Sequence, residues 1–116
     1  KVDLYVVTNG FIDTQAQRVK AAGLECLFKG VFASQAIGFE KPEARYFDAV
    51  FEAIGRDKIP QTILLGDSLS SDMKGGKDYG LTTCWFNPTG KANTSGICPN
   101  YEIKALSELE ALLETL

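Results

Sequence analysis

Residues 62–72 of this 116-residue chain read TILLGDSLSSD. The run from Thr62 to Leu65 has the length of one buried β-strand, and Gly66 and Asp67 stop it abruptly. An apolar strand that does not alternate between two faces is typical of a parallel sheet covered on both sides. The segment therefore indicates an α/β fold in which Asp67 emerges at the carboxyl end of a strand.

Strand-like and helix-like segments alternate on both sides of this stretch. The predicted helices are residues 13–22, Glu43 to Ile54, Ser71 to Tyr79, and a last helix striped by Leu106, Leu109, Leu113 and Leu116. The other predicted strands are Val2 to Val7, Val31 to Ser34, Thr83 to Phe86 and Tyr101 to Ile103, and residues 89–100 are a predicted loop. This alternation predicts a Rossmann-like, mainly parallel sheet with helices on both faces. At this length, residues 1–116 are expected to form a single domain.

Composition excludes several classes of function. No apolar run approaches the roughly 20 residues that a membrane span needs, and a net charge of −3 offers no basic surface for nucleic acid. Cys26, Cys84 and Cys98 are odd in number and widely spaced, which predicts reduced thiols in a cytoplasmic protein. The chain has no histidine, so carboxylates, lysine and hydroxyls are the candidate reactive groups.

Ligands of such sheets bind beyond the carboxyl ends of the strands. Asp67 follows one such end, and Asp72 lies in the first turn of the next helix. Two carboxylates there could hold Mg²⁺, which takes one or two carboxylates together with waters and phosphate oxygens. The same two residues also fit a turn former and a favourable helix N-terminus without a metal. After the next strand, Trp85 and Phe86 are predicted core residues, and Asn87 is predicted to line the mouth of the site.

Two further segments carry candidate phosphate-binding groups. The first strand ends in Thr8, Asn9 and Gly10, whose hydroxyl and backbone N–H groups could surround phosphate oxygens. An ordinary Asn-Gly turn explains the same residues. Lys41 precedes Pro42 and a predicted helix, so its ammonium could neutralise a phosphoryl group near the strand ends. A solvated lysine before a helix is the alternative interpretation.

Together these segments resemble the second, third and fourth motifs of the haloacid dehalogenase (HAD) superfamily, in order and at fitting spacing. The matching stretches are TNG (8–10), GFEKP (38–42) and GDSLSSD (66–72), and the similarity runs over essentially the whole chain. Within the superfamily, GDSLSSDMKGG (66–76) with TCWFNP (83–88) is most similar to phosphatases that act on pyrimidine nucleotides and related small phosphates. The resemblance implies a Mg²⁺-dependent phosphatase whose partner is a small phosphorylated metabolite, nucleoside 5′-monophosphates included.

The resemblance also implies a role for each phosphate-binding residue. Thr8 would hydrogen-bond the transferring phosphoryl group, together with the backbone N–H groups of Asn9 and Gly10. Lys41 would act with Thr8 in catalysis by balancing charge between the nucleophile and the phosphoryl group.

The metal site and the nucleophile follow from the same resemblance. Asp67 would bind Mg²⁺ directly or through water, and Asp72 would hold a metal-bound water. The first motif, D-x-D-x-T/V, carries the nucleophilic Asp that forms an aspartyl-phosphate, and it has no counterpart in this sequence. We therefore expect an incomplete HAD-like core that lacks the first central strand and the cap. Such a chain would need the missing N-terminal segment of the same protein and would be inactive alone.

Two other interpretations remain open. A non-catalytic phosphate-binding or regulatory module would keep the phosphate-binding residues and lack the nucleophile. The residues immediately upstream of Lys1 would discriminate, because an apolar strand followed by D-x-D supports the enzyme. A flavodoxin-like response receiver also has an acidic strand end and a lysine. However, neither its phosphoacceptor Asp on a central strand nor its N-terminal acidic pair is visible here.

Overall fold

The computed structural model describes residues 3–9 and 28–114. The chain divides into two compact units, Lys1–Ile54 and Gly55–Leu116. The predictions for Gly10, for the helix over residues 13–22 and for Cys26 lie outside the described residues. That residues 1–116 form one domain stays a prediction.

The first unit contains a pair of parallel strands. Strand β1 (Leu4–Thr8) pairs with β2 (Phe28–Ala33), and Thr8 lies opposite Ala33 at their carboxyl ends. The predicted strand from Val31 to Ser34 was therefore placed too late and ended too late. It begins at Phe28, and Ser34 already starts a short helix, α1 (Ser34–Ile37).

Helix α2 (Ala44–Ile54) contributes four buried side chains to the described part of the first unit. Its buried side chains are Tyr46, Phe47, Val50 and Phe51, each at most 3% exposed. The sequence predicted a buried face of Phe47, Val50, Phe51 and Ile54. The first three are buried as predicted, Ile54 is half-buried, and Tyr46 is buried beside them. Burying each side chain contributes about 1.5–3 kcal/mol. The same face brings the hydroxyl of Tyr46 to the strand ends.

The second unit contains a three-stranded parallel sheet. Its strands are β3 (Ile63–Gly66), β4 (Thr82–Phe86) and β5 (Tyr101–Ile103), in the order β3-β4-β5. Leu64, Cys84, Trp85 and Ile103 are buried in it. The parallel pairing of β1 with β2, of β3 with β4 and of β4 with β5, together with the helices found in both units, confirms the predicted α/β class.

Helical segments precede β3, connect β3 to β4 and follow β5. They are a 3₁₀ helix (Arg56–Gln61), a π-helical turn (Leu69–Met73), α3 (Lys74–Tyr79) and α4 (Ser107–Glu114). The sequence predicted one continuous helix from Ser71, whereas the π turn occupies its beginning. Gly80 ends α3 with a φ of 94°, a conformation that favours glycine. The Glu108 carboxylate accepts the N–H groups of Ala105 and Lys104, both at 2.7 Å, and these bonds lower the pKa of Glu108.

Both sheets have an open edge among the described residues. There β1 pairs with β2 alone, and β3 pairs with β4 alone. An open edge leaves backbone N–H and C=O groups available to another strand. Lys74 and Lys77 are exposed on α3. In residues 3–9 and 28–114, no helix combines the length and apolar character that crossing a bilayer requires.

Candidate functional site

The carboxyl ends of β1 and β2 are joined by one buried hydroxyl. The Thr8 backbone N–H donates to the Tyr46 hydroxyl at 2.9 Å, and that hydroxyl donates to the Phe32 carbonyl. Tyr46 is fully buried. Because the Thr8 N–H is occupied in this way, the proposed phosphate contact of Thr8 falls to its side-chain hydroxyl. Tyr46 was not among the residues predicted from the sequence, although a Tyr on a buried helical face needs a partner for its hydroxyl.

Lys41 is buried beside the same strand end. Its side chain is 8% exposed, and its ammonium Nζ donates to the Val7 carbonyl at 3.3 Å. The interpretation of Lys41 as a solvated lysine is therefore wrong. A lysine is almost never buried unless its charge is paired or hydrogen-bonded, and here the end of β1 supplies an acceptor. Its peptide bond to Pro42 is cis.

The structure brings Asn9 and Lys41 together, while their assignment to one phosphate site stays a prediction. The Asn9 side chain forms two hydrogen bonds with the backbone of Lys41. A groove of about 620 Å³ opens beside them, and it is lined by Asn9, Ser34, Gln35, Gly38, Phe39, Glu40 and Glu43. The residues that follow β2 thus border Asn9, as expected for a ligand site beyond strand ends.

Replacing Tyr46 with Phe should destabilise the first unit. The change removes one oxygen and leaves the half-buried Thr8 N–H and Phe32 carbonyl without that partner. Unfolding by urea should show a loss of about 1–3 kcal/mol, the usual cost of an unsatisfied buried polar group. Tyr79→Phe is the matched control, because the Tyr79 hydroxyl meets Arg56 at 3.4 Å in an exposed setting. Equal stability of the two variants would show that the Tyr46 bridge contributes nothing.

In the second unit, Asp67 lies at the carboxyl end of β3. Its side chain is exposed, and its backbone carbonyl accepts the indole N–H of Trp85 at 3.1 Å. Trp85 is buried in the neighbouring strand β4, so this bond fixes the backbone of Asp67 to the sheet. The arrangement holds the main chain and presents the carboxylate outward.

Asp72 is buried against the end of the same strand. Ser68 caps the π turn by accepting the Ser71 N–H at 3.1 Å, and this turn carries Asp72 back toward β3. The Ser68 N–H lies 3.4 Å from the Asp72 carboxylate. A Cβ atom at Gly66 would lie 2.6 Å from the Asp72 Cβ, so only glycine leaves room for this side chain. The occurrence of Gly66 together with Asp72 in the motif therefore has a packing reason as well as a chemical one.

The donor set at this end of β3 fits Mg²⁺. Two carboxylates are supplied within six residues, one exposed and one buried. Mg²⁺ prefers oxygen ligands and keeps several waters, so it is usually bound by one or two carboxylates. No cluster of three or more His, Cys, Asp or Glu side chains suited to a metal occurs in the described part of the chain. The assignment of Asp67 and Asp72 to a metal stays a prediction.

Asn87 holds a loop after β4. Its side chain is 2% exposed, accepts the Lys91 N–H at 3.0 Å and donates to the Lys91 carbonyl and the Glu102 carboxylate, both at 2.9 Å. These bonds do not fit the predicted place of Asn87 at the mouth of a site.

Cys84 is equally buried, and burial, followed by the nearby Glu108 charge, raises the pKa of its thiol. A protonated core thiol is a poor nucleophile.

The profile of the haloacid dehalogenase-like hydrolase family matches residues 1–80. The chain belongs to this family. The HAD-like chain is 48% identical over 111 residues to the HAD-hydrolase YfnB of Bacillus subtilis, and the match covers 96% of the chain and 47% of YfnB. A crystal structure of YfnB bound to magnesium superimposes with a TM-score of 0.92 at 47% identity, covering 97% of this chain and 50% of YfnB.

Two other HAD relatives represent different reactions. The pyrimidine 5′-nucleotidase YjjG of Escherichia coli is 35% identical over 108 residues, which cover 93% of the chain and 48% of YjjG. A 2-haloacid dehalogenase of Pseudomonas syringae is 30% identical with a TM-score of 0.86, covering 99% of the chain and 47% of the dehalogenase. The chain thus spans about half the length of the relatives it matches.

Proposed function

We propose that the protein containing this chain is a Mg²⁺-dependent phosphatase of small phosphate monoesters, nucleoside 5′-monophosphates among them. The observation that carries this proposal is Lys41, a buried cation held by the Val7 carbonyl within one residue of Thr8. A cation fixed beside a hydroxyl at a strand end suits a phosphoryl group. The identity with YjjG supports a nucleotide as substrate.

The chain would contribute contacts to the transferring phosphoryl group. In the proposed reaction an Asp carboxylate outside this chain attacks phosphorus, the ester P–O bond breaks, and the leaving oxygen takes a proton from water and departs as the alcohol. Water then hydrolyses the aspartyl-phosphate and releases orthophosphate. The Thr8 hydroxyl and the Asn9 backbone N–H donate hydrogen bonds to phosphoryl oxygens, and the Lys41 ammonium balances the charge that develops there.

Asp67 and Asp72 would hold the Mg²⁺ ion. When bound, the ion supplies Lewis-acid stabilisation of phosphoryl charge. We assign the direct contact to Asp67, because its carboxylate is exposed while its backbone is fixed by Trp85. The buried Asp72, packed on Gly66, is suited to orienting a metal-bound water.

The full-length protein should release orthophosphate from UMP, dUMP and p-nitrophenyl phosphate in the presence of Mg²⁺. Chelation by EDTA should abolish turnover, and excess Mg²⁺ should restore it, because Mg²⁺ stabilises phosphoryl charge. A phosphate-release assay with each substrate tests this expectation. Binding of orthophosphate without turnover would instead favour a non-catalytic phosphate-binding module.

The dehalogenase relative makes halide release a second candidate activity. Displacing halide from carbon develops no phosphoryl charge, so it gives no reason for a paired Asp67 and Asp72 to hold a hard cation. Chloride release from 2-chloropropionate should therefore be absent. Halide release unaffected by EDTA, without phosphate release, would contradict the phosphatase proposal.

A further inference from the structure

The Asn9 side chain and the Lys41 backbone form a two-bond clamp across 32 positions of sequence. The Asn9 oxygen accepts the Lys41 N–H at 2.8 Å, and the Asn9 amide nitrogen donates to the Lys41 carbonyl at 3.0 Å. One carboxamide thus satisfies both backbone groups of a single residue. Such a pair fixes the position and the orientation of the peptide units on either side of Lys41.

The opposite end of Lys41 is attached to the same strand. Its ammonium donates to the Val7 carbonyl at 3.3 Å. Residues 7 and 9 therefore hold the charged tip and the backbone of Lys41, and Thr8 lies between them. The location of the cation relative to Thr8 is consequently set by the end of β1.

The loop that carries Lys41 needs such an attachment. It links α1 to α2, and its own turn is closed by the Glu43 N–H donating to the Glu40 carbonyl at 2.9 Å. That bond shapes the turn locally but does not fix its position against β1. The Asn9 clamp does, because its two partners belong to different segments of the chain.

We infer that the Asn9 side chain is a positioning residue for Lys41, and that it acts on the rate of phosphoryl transfer only through the placement of the Lys41 ammonium. The inference rests on the proposed function, because it requires Lys41 to act on the phosphoryl group. It is separate from the proposed phosphate contact of Asn9, which uses the backbone N–H and survives removal of the side chain. An electrostatic contact accelerates a reaction when it is preorganised. The clamp would preorganise the Lys41 ammonium by holding its backbone in place.

A double-mutant cycle on the full-length protein tests this inference with p-nitrophenyl phosphate at saturating Mg²⁺. Asn9→Ala should lower kcat about 10- to 100-fold, the scale expected when a catalytic group is misplaced by about 1 Å. KM should change by less than about threefold, because the backbone contacts remain. In the Lys41→Met background, Asn9→Ala should lower kcat by less than about twofold, because the two residues act as one unit.

Asn100→Ala is the control for lost side-chain hydrogen bonds. The Asn100 side-chain oxygen accepts hydrogen bonds from the Thr83 N–H at 2.9 Å and from the Thr83 hydroxyl at 3.1 Å. Thr83 is fully buried near the amino end of β4. This variant should lower the melting temperature at least as much as Asn9→Ala and leave kcat within about threefold. Asn9→Ser, which removes the same amide pair, replaces Asn9→Ala in the cycle if the latter folds poorly.

The cycle separates failure of the inference from failure of the proposed function. If Lys41→Met alone leaves kcat unchanged, Lys41 has no role in the reaction and the proposed function loses its main support. If Lys41→Met lowers kcat but Asn9→Ala lowers it equally in both backgrounds, the Asn9 side chain acts independently of Lys41. That result would overturn the positioning role and leave the proposed function intact.

Discussion

Replacing Lys41 with Met in the full-length protein should lower kcat by about a hundredfold or more, the scale seen when a preorganised electrostatic contact is removed. Methionine fills nearly the same buried space and lacks the charge. If the ammonium interacts more strongly with the transition state than with bound phosphate, its loss reduces kcat much more than ground-state affinity. Inhibition by orthophosphate should accordingly weaken far less than kcat falls.

Lys41→Arg is the matched comparison for this variant. It keeps the charge, but a planar guanidinium cannot place a compact cation at the same point, so kcat should recover only in part. An unchanged kcat with strongly weakened orthophosphate binding would make Lys41 a binding residue alone. It would then favour the non-catalytic module.

Burial of Lys41 changes the effect on protein stability that we expect from replacing it. From the sequence, a lysine at a loop end contributes little to folding. In the structure its ammonium satisfies the Val7 carbonyl inside a buried environment. Lys41→Met should therefore lower the free energy of unfolding by about 1–3 kcal/mol. Kinetics must be measured well below the melting temperature so that partial unfolding is not mistaken for lost catalysis.

The elements that follow from local pattern could be predicted from the sequence. The buried face of α2 follows from apolar residues spaced three and four apart, and the end of α3 follows from Gly80. Each of these features depends on residues close to one another in sequence.

The contacts that assemble the phosphate-binding residues could not be predicted in this way. Tyr46 and Thr8 are 38 positions apart, and the Asn9 clamp on Lys41 spans 32. No local periodicity encodes such a pair, because its geometry depends on how α2 packs on the strands. Asn87 is the opposite case, in which a position after a strand predicted a site residue but the structure shows a local structural role. Its side chain forms hydrogen bonds with the backbone of Lys91, four positions away.

The two candidate metal ligands should differ sharply when each is replaced by Asn. Asp67→Asn in the full-length protein should lower kcat by more than about a hundredfold, because a direct ligand to the ion loses its charge. Asp72→Asn should cost less, about 10- to 100-fold, the usual range for a residue that supports the ligands from behind. The difference follows from their settings, since Asp67 is exposed whereas Asp72 is buried against Gly66.

Metal binding can be measured apart from activity through the melting temperature. An ion that binds only the folded protein raises its stability with concentration, so Mg²⁺ should raise the melting temperature of the unmodified protein. The rise should disappear in Asp67→Asn and persist, at higher Mg²⁺ concentration, in Asp72→Asn. Asp78→Asn is the control, because the Asp78 carboxylate forms an exposed pair with Lys74 at 2.9 Å and such pairs contribute little.

The Mg²⁺ titrations also distinguish the alternatives for the two carboxylates. If Asp67 and Asp72 only form a turn and a favourable helix start, both Asn variants should bind Mg²⁺ as the unmodified protein does. Equal tolerance of both changes in activity and in the melting-temperature shift would therefore refute the metal assignment. A larger effect of Asp72→Asn on both readouts would reverse the proposed roles. The buried carboxylate packed on Gly66 would then be the direct ligand, and the exposed Asp67 would hold the metal-bound water.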